Sequence, residues 1–122
     1  MPDIAGEAIG YIQENLSNLN PGAGTITLQG LVVPAGQVWS PTHSAARNNS
    51  AIATFIQVRV LRANGGIQTI SYDLNPAAGR WMETGASIEL LAGDRIEALF
   101  GGTVAGNDLY FDYTGTQYRR VA

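Results

Sequence analysis

The sequence predicts an all-β chain: an antiparallel sandwich of two sheets, preceded by a short N-terminal arm or helix. Three observations carry the prediction. From Thr25 onward the chain is a succession of β-branched and aromatic runs cut by Gly, Pro, Asn and Asp. About eight or nine such runs fit into roughly 100 residues, a density that two packed antiparallel sheets accommodate. At 122 residues, 45% hydrophobic and 14% charged, the chain is a single domain with enough apolar side chains to fill a core.

The first segment, IAGEAIGYIQENLSNL, sets Ile4, Ala8, Ile12, Leu16 and Leu19 at near-helical spacing. Gly6 and Gly10 interrupt it, and each costs a helix about 1 kcal/mol. Residues 1–24 therefore read as a short helix or an extended arm, closed by the Pro/Gly hinge Asn20-Pro21-Gly22-Ala23-Gly24. Residues 25–122 form the sandwich, with strands expected at 25–33, 38–44, 52–62, 67–74, 80–84, 88–91, 95–100, 109–114 and 116–121.

The clearest strand is 52–62, where Ile52, Thr54, Ile56, Val58 and Val60 share one face and go to the core. Phe55 and Leu61 fall on the other face beside Gln57 and Arg59, so that face is expected to meet another surface. Asn64-Gly65-Gly66 supplies residues that tolerate positive φ, which predicts a hairpin into 67–74 with Ile70, Tyr72 and Leu74 inward. In GLVVPAGQVW, residues 30–39, Pro34 ends pairing and Gly36 turns the chain. Trp39, just beyond this corner, is expected to pack in the core or against a neighbouring subunit. The same order of apolar pair, Ala-Gly, polar residue and return strand recurs in LLAGDRI, residues 90–96, so two like corners are expected.

Several function classes fall away on composition. The absence of cysteine removes disulfides, thiolate metal sites and thiol nucleophiles. A net charge of -3 argues against nucleic acid, because Arg59 with Arg62 and Arg119 with Arg120 make pairs and not a basic patch. All positive side chains are arginine, a residue favoured at protein interfaces. No apolar run approaches the ~18 residues of a membrane helix, and MPDIAGEAIG lacks the basic and apolar regions of an export signal. Neither a membrane partner nor export by its own signal is expected.

His43 is the only histidine and has no nucleophile motif to serve, so it reads as a loop or strand-end residue. Asp108, Tyr110 and Asp112 alternate with Leu109, Phe111 and Tyr113. Two carboxylates on one face would suit calcium or a glycosidase pair, but the simpler expectation is a solvated face opposite a buried aromatic one. Glu89, Asp94 and Glu97 read as solvated in the same way, with Asp94 bonding turn backbone after Gly93. Residues 101–108 read as an inter-strand loop. No catalytic, cofactor-binding or metal-ligating residue is assigned, no cofactor is called for, and no enzyme is expected. The aromatic rings of Trp39, Trp81, Tyr110, Tyr113 and Tyr118 leave a sugar platform open.

Three stretches carry a family resemblance: VVPAGQVW at 32–39 with the following Arg47-Asn48-Asn49-Ser50, ELLAGDRIEALFGG at 89–102, and NDLYFDYTG at 107–115. Over residues 25–121 the chain resembles small jelly-roll structural proteins of tailed bacteriophage virions. The resemblance implies a jelly roll, although another Greek-key sandwich accommodates the same strands. It further implies a non-enzymatic decoration or cement protein, homotrimeric, made in the host cytoplasm and placed on the capsid surface against the major capsid protein. The candidate subunit or capsid interface comprises Trp39, Phe55, Arg59, Leu61 and Trp81. The alternative is a carbohydrate- or receptor-binding module of a tail fibre, with exposed aromatics and Asp108 or Asp112 as contacts.

Overall fold

The computed structural model describes residues 5–19, 21–49, 54–85 and 88–121. Its strands are β1 (Ala5–Asn18), β2 (Gly24–Gln29), β3 (Gln37–Asn48), β4 (Phe55–Leu61), β5 (Ile67–Leu74), β6 (Met82–Thr84), β7 (Arg95–Thr103) and β8 (Leu109–Arg120). β1 pairs with β8, β2 with β7, β3 with β6 and β4 with β5, all antiparallel. Each strand thus meets its counterpart from the far end of the chain, as in one long two-stranded ribbon. Rolling that ribbon brings β8 against β3 and β7 against β4. The result is sheet A, in the order β1-β8-β3-β6, packed on sheet B, in the order β2-β7-β4-β5. This connectivity is a jelly roll, which decides between the two topologies the strands allowed.

The core lies between the sheets. Ile56, Val58 and Val60 of β4 meet Ile96, Ala98 and Phe100 of β7 on one side, and Leu109, Phe111 and Tyr113 of β8 on the other. Alternation in β4 is as expected from Phe55 onward; Thr54, expected inward, is exposed just before the strand begins, and Ile52 lies outside the described residues.

The N-terminal segment is neither a helix nor an appended arm. β1 runs along β8 from Ala5 opposite Arg120 to Asn18 opposite Leu109. A spacing of four, as from Ile12 to Leu16, satisfies a period of two as well as one near 3.6, so the same residues suit a strand. The two glycines disfavour the helix, and β8 offers a partner for the strand. Ile12 is buried and Leu16 packs against the core, while Ile4 lies outside the described residues. The Pro/Gly segment that follows is tied down: Pro21 is buried, and the Thr103 hydroxyl lies 2.8 Å from the Gly22 carbonyl and 2.9 Å from that of Gly24.

In β5 the expected inner face holds at Ile70 and is reversed beyond it. Val58 stands opposite Ser71 but Arg59 stands opposite Thr69, leaving Ile70 as the extra residue of a bulge. Ile70 packs against the core, whereas Tyr72 and Leu74 turn outward, 53% and 66% exposed. A slip of one residue exchanges the two faces of a strand.

The expected strands 109–114 and 116–121 are one strand, β8. Gly115 lets β8 continue past β3, since a Cβ there would collide with the Ser40 carbonyl oxygen and come within 2.6 Å of the Pro41 Cα. Residues 88–91 make only a bridge, Leu90 to Trp39. β7 takes in residues 101–103 of the expected loop, and Asn107 organises the rest: its Oδ1 accepts from the Val104 amide and from Asn48 Nδ2, both at 3.1 Å.

The two like corners lie against one another. Val33 donates its amide to the Asp94 carbonyl and Gly93 donates to that of Val33, both at 2.9 Å. Trp39 and Leu90 exchange amide hydrogen bonds of 2.9 and 2.7 Å. Thr42 bulges between Pro41 and His43. Trp39 thereby shares the inward face that Ser44 and Ala46 hold further along β3. It is 4% exposed and its indole donates to Gln37 Oε1 at 2.7 Å, so it is a core residue.

Candidate functional site

Outward-facing residues of the two sheets make two different surfaces. On sheet B, the ring of Phe55 stacks on Tyr72 with centroids 5.5 Å apart and planes 10° from parallel. Gly101 makes room for it, because a Cβ at that position would strike the Phe55 ring. Leu74 stands opposite Phe55 in the ladder, which extends the apolar patch to the sheet edge. At the other end Leu61 stands opposite Ile67, itself largely exposed.

Between these ends lies a polar centre. Glu97, expected to be solvated, is 1% exposed although it stands on the outer face. Arg59 Nε donates to its Oε2 at 2.6 Å and Gln29 Nε2 to its Oε1 at 2.9 Å. Arg95 in turn donates to Gln29 Oε1 at 3.0 Å. Pairing and hydrogen bonds offset the cost of burying a carboxylate in that position.

On sheet A, the Arg47 guanidinium lies 4.2 Å from the Trp81 ring centroid and 4.9 Å from that of Tyr110. The two rings are 6.4 Å apart and tilted by 57°. Contacts of this kind favour a cation held on the ring faces. Asp112 lies one ladder step from Tyr110 on the same face. Burial raises its carboxyl above the ordinary range, against the pull of Arg47. His43 and Glu83 approach to 3.6 Å with both side chains well exposed. Asp108 precedes β8, and its carbonyl accepts the Asn49 amide at 2.8 Å. Among the described residues, no three His, Asp or Glu side chains gather as a metal cage. Toward the other end of the sheet a cleft of about 350 Å³ opens beside the Thr42 bulge, lined by Tyr11, Gln13, Thr42, Thr114 and Thr116 around Gly115.

Of the five interface candidates, Phe55, Arg59 and Leu61 come together on the outer face of sheet B. Trp81 sits on the opposite side of the sandwich, over Arg47. Sequence reasoning missed Tyr72 and Leu74, whose outward turn depends on a bulge that no residue type announces. It also missed Tyr11, because a helical reading of residues 4–19 hides the alternation of Tyr11, Gln13 and Asn15. Those three residues stand opposite Thr116, Thr114 and Asp112.

No protein-family model matches the chain, and no curated protein matches it in sequence. In structure it is similar to PirA over 85% of this chain and 92% of that one, with a TM-score of 0.46 and 6% identity. It is similar to the CBM22-1-GH10 modules of Clostridium thermocellum xylanase 10B over 99% of its length and 29% of theirs (TM-score 0.44, 12% identity). The third is a T=1 particle derived from infectious bursal virus, with 93% and 36% covered, a TM-score of 0.43 and 12% identity. Likenesses of this degree assign the chain no activity, ligand or assembly.

Proposed function

We propose that this chain is a non-enzymatic virion structural protein, a decoration or cement protein that assembles as a homotrimer on the capsid surface and grips the major capsid protein. The observation that carries the reading is the apolar patch of Phe55, Tyr72 and Leu74 on the outer face of sheet B. Tyr72 and Leu74 leave apolar surface in water that a partner would remove, and full burial of such a side chain contributes about 1.5–3 kcal/mol. The neighbouring polar centre suits a covered face, because Glu97 already has its partners in Arg59 and Gln29. Covering the Arg59–Glu97 pair therefore leaves neither of its two charges without a partner. A protein that binds only the assembled shell stabilises that shell by mass action.

Sedimentation velocity of the purified chain, and its retention on shells assembled without it, test the proposal. A trimer and saturable retention are expected, with both lost in a Tyr72→Lys, Leu74→Asp double variant that stays folded. A monomer at high concentration that does not bind shells overturns it.

A further inference from the structure

We infer that the outer face of sheet A holds a binding site for a neutral oligosaccharide, centred on the cleft of Tyr11, Gln13, Thr42, Thr114 and Thr116. The inference goes beyond assembly and uses the opposite face of the sandwich, so the two stand or fall separately. Tyr11 is 88% exposed, a ring standing in water on a strand whose Ile12 and Leu16 turn toward the core. A sugar ring offers a C–H face that packs on an aromatic ring and a rim of hydroxyls that both donate and accept. Tyr11 supplies the ring, while the Gln13 amide and three threonine hydroxyls supply donors and acceptors together. At about 350 Å³ the cleft has the size of a small-ligand site.

Charge selects the ligand class. No Asp, Glu, Arg or His lines the cleft, so a phosphate, sulfate or uronate group entering it would find no counter-charge there. The face also has length. From Tyr11 the ladder runs through Gln13 and Asn15 to Ser17, which stands opposite Tyr110, with Arg47 and Trp81 beyond. Six residues of strand span about 20 Å. Aromatic rings at both ends with Gln, Asn, Thr and one carboxylate, Asp112, between them fit an extended chain of sugars better than a single ring.

Affinity electrophoresis of the full chain through gels carrying xylan, a β-glucan, dextran, galactomannan or a neutral O-chain polysaccharide, with heparin and alginate as anionic controls, tests the site. Retardation by at least one neutral polymer and by neither anionic one is expected. Tyr11→Ala should weaken it by about tenfold, the scale of losing one aromatic anchor. Thr42→Trp, which fills the cleft without removing a contact ring, should do the same. Thr27→Ala, at an exposed position on the other sheet, should leave it unchanged, and thermal melts report that each variant is folded. Retardation by no neutral polymer, retardation by the anionic ones, or retention undiminished in both cleft variants overturns the inference.

Discussion

Asp94 joins three segments that are far apart in the chain, and replacing it with alanine should loosen all of them. Its Oδ1 accepts the Ala63 amide at 2.8 Å in the turn after β4, and its Oδ2 accepts the Leu91 amide at 2.9 Å and Arg62 Nη1 at 2.9 Å. Its backbone carbonyl meanwhile takes the Val33 amide of the facing corner. The side chain is 5% exposed and that of Arg62 30%. Asp94→Ala leaves two amides without their acceptor and takes from the Arg62 guanidinium its ion partner, leaving it the Glu89 carbonyl and Gln68. At about 1 kcal/mol for each neutral donor and 1.5–3 kcal/mol for the charged one, the loss is about 3–5 kcal/mol. Stability of the whole domain is of the order of 5–15 kcal/mol, so the effect is large.

Urea unfolding followed by fluorescence of the buried Trp39 measures it. Combined with Arg62→Ala, the double variant should cost less than the sum of the singles, by about 1–2 kcal/mol. A loss below about 1 kcal/mol in Asp94→Ala, or strictly additive effects, would refute the reasoning. Acid gives a second handle. Burial pushes the Asp94 carboxyl up, but the Leu91 amide, Arg62 and the Ala63 amide outweigh it and hold the group below its ordinary 3.8. A depressed carboxylate contributes stability that is present above its unfolded value and lost as pH falls through the folded one. Below about pH 4 the natural chain should therefore lose stability more steeply than Asp94→Ala.

Other substitutions test the packing. Trp39→Ala should cost about 3–5 kcal/mol in thermal or urea unfolding, as for a buried aromatic; a variant of unchanged stability that no longer assembles would contradict the core position. Gly115→Ala drives a methyl group into the backbone of Ser40 and Pro41 and should cost about 1–3 kcal/mol by calorimetry. Gly22→Ala meets nothing within 4 Å and serves as the neutral control.

How legible each part was in the sequence depends on the range of the physics behind it. Alternation in 55–61 and 109–113 is local, and the strands, their buried faces and the turn at Gly65 follow from it. Asp94 reads correctly as a turn residue because its bond to Leu91 is only three positions away. Glu97 misleads because its partners, Arg59 and Gln29, come from two other strands. The candidate surfaces were half legible. Phe55 and Leu61 declare themselves by parity with their own strand, while Tyr72 and Leu74 do not.

By itself, then, the sequence determined an all-β sandwich, its turn positions and one partly apolar outer face, since side-chain periodicity and glycine or proline backbone preferences act within a few residues. Only the tertiary structure decided that residues 5–18 are a strand, that Trp39 is in the core and that Tyr72 faces out. A strand exists only against its partner, and the bulges at Thr42 and Ile70 are mismatches between two strands, so the faces they exchange are properties of the pair and of neither strand alone.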